Sequence, residues 1–147
     1  MPKIISGVLL DRGAATLISQ NNNANEIALI DSLRAQSKLF VPFYDNDLYR
    51  KDKSLLRIFG NNLPPYADPC DKTEAAFTKS AMTNYRCTAL DEYPHWIAGL
   101  AKAKSLAVIT GIQVQNSILN PHLTCKAIGV QCWHVVDFFM PPPPQII

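Results

Sequence analysis

The chain has 147 residues, with 14 Lys and Arg against 12 Asp and Glu for a net charge of +2. That length is one ordinary domain with room for a real core, and a composition 48% hydrophobic and 18% charged excludes a disordered tail. The charge balance excludes nucleic-acid binding through bulk charge, and the longest apolar run, SLAVITGI, falls far short of the roughly 20 residues of a membrane helix.

In chain order, Ile4 to Leu10 (IISGVLL) is apolar and β-branched and ends at Asp11. It reads as a buried strand that delivers an acid at its carboxyl end. Asp11 to Ala24 reads as a loop or short helix, and Asn23 or Asn25 can cap the next helix. Asn25 to Ser37 carries Ile27, Ile30 and Leu33 at helical spacing. Leu39 to Tyr44 reads as a second strand in which Pro42 marks an edge or a bulge. Asp45 to Asp71, with Gly60, Pro64, Pro65 and Pro69, reads as one long loop, of the kind that serves function or an interface. The stretch Tyr49 to Arg57 within it is locally basic.

Thr73 to Phe77 is a candidate short strand leading to Lys79, and Asp91 to Lys102 a helix with acids at its start. Ser105 to Thr110 (SLAVIT) is the clearest strand and runs into Gly111. Asn116 to Ile128 reads as a helix closed by Gly129, with Pro121 demanding a late start or a kink. Val130 to Asp137 reads as the last strand. Residues 138–147 then form a proline-rich tail, with Pro141, Pro142, Pro143 and Pro144 holding it extended.

Apolar strands alternating with amphipathic helices predict an α/β fold of three layers, α-β-α, around a mostly parallel, Rossmann-like sheet. Ser6–Leu10, Leu39–Tyr44, Ser105–Thr110 and Cys132–Val136 should be parallel neighbours in it. Ligands of such sheets bind beyond the carboxyl ends of the strands, which is where Asp11, Lys79 and the turn from Gly111 to Ser117 fall. The domain proper spans residues 1–137.

Cys70, Cys87, Cys125 and Cys132 form no CxxC pair, and the N-terminal residues carry no secretory pattern. A reducing, intracellular setting with free, buried thiols is the expectation.

The stretch Ser105 to Asp137 resembles the signature region of the isochorismatase-like hydrolases, in the branch of isochorismatase domain-containing proteins. Gly111-Ile112, Ile118-Leu119-Asn120, Gly129 and Val135-Val136-Asp137 carry the resemblance. It implies a C-terminally shortened version of that fold, with Asp11 and Lys79 in the positions of the catalytic acid and lysine. Ser117 stands where the family has its nucleophilic cysteine. A hydroxyl lacks the acidity of a thiol and needs an adjacent base; among His95, His122 and His134, only His122 lies near that turn. The stretch Tyr44 to Leu48 lacks the histidine of metal-binding members, so no metal and no cofactor are expected.

The resemblance therefore implies a non-catalytic, accessory or structural subunit of a larger assembly, by analogy a mitochondrial one, with the cytoplasm as the other location. The alternative is a small-molecule hydrolase of an amide or ester using Ser117, Asp11 and Lys79. Phe138, Phe139, Met140 and the four prolines are expected to lie on a partner protein, with the Asp45 to Asp71 loop as a second contact.

Overall fold

The computed structural model describes residues 3–42, 66–67, 97–99, 101–102, 104–112 and 121–147. Its centre is a five-stranded sheet of β2 (Val8–Leu10), β3 (Leu39–Pro42), β4 (Tyr66–Ala67), β5 (Ala107–Thr110) and β6 (Cys132–His134). The strand order is β4-β3-β2-β5-β6. Every pairing is parallel: Val8 opposes Leu39 and Ala107, Val41 opposes Tyr66, and Val108 opposes Cys132. The four strands read from the sequence are thus parallel neighbours, and the molecule is an α/β protein.

The pleat divides the apolar residues between two faces. Val8, Leu10, Ala107 and Ile109 point into one core with Ala14, Ala15 and Ile18 of α1 (Arg12–Asn21) and Ile30 and Leu33 of α2 (Ala24–Ala35). Val135 and Phe138 of α4 (Val135–Phe139) complete that core. Leu9 and Val108 point into a second core with the helical residues Ile97, Ala98 and Ala101, and with Cys125 of α3 (Pro121–Ala127) and Ile128. Strands covered on both faces need continuous apolar sequence, and VLL and AVIT are buried along their whole length.

Local chemistry sets the ends of the helices. Asp11 caps α1, and Asn22 closes it in the left-handed region at φ 48°. Asn23, of the two asparagines open from the sequence, caps α2 by accepting from the N–H groups of Asn25 and Glu26. Pro121 is the first residue of α3, where its missing N–H costs nothing. Gly129, at φ +76°, turns the chain out of α3 towards β6.

Of the loop or short helix open over Asp11 to Ala24, Arg12–Asn21 is the helix. Three expectations change. Ile4 to Leu10 is two strands, because the chain breaks at Ser6-Gly7 and β1 (Ile4–Ile5) leaves the main sheet. Tyr66–Ala67 pairs with β3, so the long loop is not wholly irregular. Val135 to Asp137 is helix rather than strand: His134 accepts from the N–H of Val136 through Nδ1 at 3.2 Å and starts α4.

The tail also differs from expectation. Phe138 is fully buried in its own domain, and Phe139 packs against the same core, its ring edge-on to Phe138 at 5.3 Å. Lys3 Nζ donates to the carbonyls of Met140 and Pro142, and sits 5.8 Å from the Trp133 ring. The prolines carry the chain back so that β7 (Gln145–Ile146) pairs in parallel with β1. The tail therefore covers its own N-terminal strand, since Ile5 and Phe138 need that cover within this chain.

Candidate functional site

The carboxyl ends of β2, β5 and β6 meet at Asp11, Gly111 and His134. Asp11 comes directly after β2, and its N–H donates to Ile109 O of the neighbouring strand at 3.0 Å. This fixes the residue over the sheet edge, where it is 2% exposed. Its Oδ1 accepts from Ala14 N at 2.7 Å and from Gly111 N at 3.2 Å. One carboxylate oxygen thus caps α1 and ties the turn after β5 to it.

That turn fits because it is built on glycine. A Cβ on Gly111 would stand 2.4 Å from the carbonyl carbon of Gly13, closer than atoms can approach. Thr110 Oγ1 then accepts from Ile112 N at 3.1 Å, and His122 Nε2 stands 2.8 Å from Ile112 O. His122 is thus held to the turn by a backbone carbonyl. The neighbouring Cys132 thiol and the Ile112 carbonyl raise its pKa above the usual 6.5 despite partial burial.

The neighbouring Cys125, with desolvation, pushes the Cys132 thiol far up. The His122, Cys125 and Cys132 group was not singled out from the sequence as a site. The signal for it was present: His122 and Cys125 are three apart on a helix, and Cys132 comes one tight turn later.

Of the expected catalytic residues, Asp11 is where the sequence put it, and Lys79 and Ser117 lie outside the described residues. Met140 is 53% exposed and Pro141, Pro142 and Pro143 are exposed, whereas Pro144 is half-buried. Among the described residues no group of three or more His, Cys, Asp or Glu is placed to hold a metal ion. A cavity of about 350 Å³ opens at the opposite edge, where Ser6, Leu106 and Gln131 precede their strands. It lies at the amino ends of the strands and so shares nothing with Asp11.

By sequence the chain matches no protein-family model and no curated protein. In structure it is similar to FitAcB from Neisseria gonorrhoeae, at TM-score 0.50 and 18% identity over 86% of this chain and 96% of that one. It is similar likewise to FitAB bound to an IR36 DNA fragment, at TM-score 0.50 and 18% identity over 87% of this chain and 94% of that one. Likeness at that identity is likeness of fold.

These neighbours overturn the isochorismatase-like assignment. The matched features (strand, glycine turn, helix, glycine, strand) belong to parallel α/β units in general. The family-specific end of the match, Val135-Val136-Asp137, is helical here. The mitochondrial expectation falls with it, since it rested on that analogy. No helix among the described residues is long and apolar enough to cross a membrane.

Proposed function

We propose that this chain is a non-catalytic α/β subunit that works by binding a protein partner within a larger assembly. The observation that carries the reading is the employment of Asp11. This is the acid that the fold delivers to the ligand edge of the sheet, and its Oδ1 is spent on two backbone N–H groups at 2% exposure. A carboxylate used as a joint between β2, α1 and the β5 turn supports a structural part more than a proton-transfer part.

The partner surface in this reading is the outer side of β6 and α4. β6 ends the order of the main sheet, and an edge strand offers unpaired N–H and C=O groups. Val136 and Met140 stand beside it, 54% and 53% exposed and one helical turn apart. Apolar side chains next to a strand that is last in the sheet among the described residues suit a protein surface better than a phosphate backbone.

The test is the size of the native particle. In gentle extracts of cells that make it, the chain should elute well above its own 16.3 kDa. The double substitution Val136→Asp with Met140→Lys should return it to monomer while its melting temperature stays within a few degrees. A monomeric native chain that hydrolyses amides or esters, and loses that activity in Asp11→Asn, would overturn the reading in favour of an enzyme.

A further inference from the structure

We propose that the cavity at the amino ends of the strands binds a small amphipathic anion, an alkyl or aryl carboxylate, with its apolar body against Ile4, Leu106 and Ile147 and its charge at Lys102. This inference goes beyond the partner-binding reading and shares neither Val136 nor Met140 with it.

The cavity forms where the chain steps from one sheet to the other. β1 pairs with β7, outside the five-stranded sheet, and the chain enters that sheet only at Val8, opposite Ala107. Gly7 makes the step: its carbonyl accepts from Ala107 N at 3.0 Å, and a Cβ there would stand 2.9 Å from Leu106 Cδ2. The space left beside this step is about 350 Å³, within the range of pockets that hold small ligands. Leu106 and Ala107, at 8% and 5% exposure, give it a buried apolar wall. Ile4 and Ile147 line it too, yet they are 44% and 75% exposed. Apolar surface left in water around a concavity is surface that an apolar ligand body can cover.

The polar part of the lining sets the sign of the ligand. Ser6, Lys102, Ser105 and Gln131 contribute to it, and among the described lining residues none is acidic. Lys102 is the charged side chain of that set, and its Nζ donates to Ile128 O at 3.1 Å. Ser6 Oγ donates to Ser105 O, and Gln131 Nε2 to Ile4 O at 3.4 Å. These side chains are pinned to backbone carbonyls before a ligand arrives, so less ordering is charged against binding. An ammonium carries only donors and meets a carboxylate as its natural partner, whereas a cationic ligand would find a like charge and no acid.

The end of the chain closes one side. Ile147 N donates to Ile5 O at 2.9 Å, and Lys38 Nζ to Ile147 O at 3.3 Å. A ligand that touches Ile4 and Ile147 together ties β1 to the residue after β7, and binding should therefore oppose local opening there.

The experiment titrates the full chain with octanoate at fixed ionic strength, followed by calorimetry and by amide hydrogen exchange, with octanol and octyltrimethylammonium run in parallel. Saturable binding of octanoate is expected, with exchange at Ile147 slowed and exchange at Gly111, on the opposite edge, unchanged. Octanol should bind more weakly and octyltrimethylammonium most weakly of the three. Lys102→Gln should weaken octanoate about threefold, the size expected for an exposed charge pair, and leave octanol unchanged. Val130→Trp, which places an indole at the cavity wall, should remove binding of both. Lys102 is exposed, so Lys102→Gln keeps its fold and carries the test if Val130→Trp does not fold. The proposal is overturned by uptake that does not saturate, by octanol or octyltrimethylammonium binding as tightly as octanoate, or by unchanged octanoate affinity in Lys102→Gln or in a folded Val130→Trp. It is equally overturned by protection that appears at Gly111 and not at Ile147.

Discussion

At the scale of single residues, Asp11 and His122 decide how the carboxyl edge holds together. Asp11→Ala removes the acceptor of both Ala14 N and Gly111 N. Losing a helix cap costs about 1 kcal/mol, and leaving the partly buried Gly111 N–H unpaired adds up to about 1–3 kcal/mol. Urea denaturation should therefore show a loss of about 2–4 kcal/mol, with Asp11→Asn costing less because an acceptor oxygen remains. An unchanged or higher stability in Asp11→Ala would mean that the carboxylate is kept for chemistry. His122 has a raised folded pKa, so its protonated form is favoured in the folded state. Its contribution is whole below the ordinary 6.5 and is lost as pH rises through the raised value. Melting temperatures at pH 5.5 and pH 8 should fall further apart in the unsubstituted chain than in His122→Gln. Equal slopes would remove the histidine from the balance.

At the scale of elements, the C-terminal tail behaves as a strap. Lys3 is 5% exposed and donates through Nζ to Met140 O and Pro142 O. Gln145 N then donates to Lys3 O at 2.7 Å and Ile147 N to Ile5 O at 2.9 Å. β1 and β7 are two residues each, too short to hold alone, so the ammonium group supplies the anchor. Hydrogen bonds to a charged group are worth about 1.5–3 kcal/mol each before desolvation is set against them. Lys3→Met should speed hydrogen exchange at Gln145 and Ile147 by tenfold or more while β2 and β5 stay protected. If exchange at those two amides does not change, the strap is held by something other than Lys3.

At the scale of the whole molecule, two cores lie on the two faces of one parallel sheet, and β6 stands at its end. Phe138 fills the first core completely, so a partner cannot draw on it without unfolding the domain. Docking must use what this packing leaves outside; Ile4, Ile112, Val136, Met140 and Ile147 are the exposed large apolar side chains among the described residues, and Val136 and Met140 are the two beside β6. That is why the Val136→Asp and Met140→Lys pair is expected to change assembly and leave folding intact: both side chains are more than half exposed. Burying them is worth roughly 25 cal/mol per Å² of apolar surface hidden, so losing that term disrupts a partner contact without touching either core.

The sequence by itself determined the parallel sheet, because Val8–Leu10 and Ala107–Thr110 are apolar along almost their whole length and a strand covered on both faces calls for that. It determined the closing glycine of α3 and the position of Asp11, because these depend on neighbours within a few residues. Only the tertiary structure decided what Asp11 does, since its partner Gly111 lies 100 residues away. The same holds for the tail: proline fixes an extended chain but not its destination, and Lys3 and β1, at the other end of the chain, set that. Val135-Val136-Asp137 misled for the same reason. β-branched residues favour strand, yet His134 caps a helix there and Phe138 gains a buried site by continuing it.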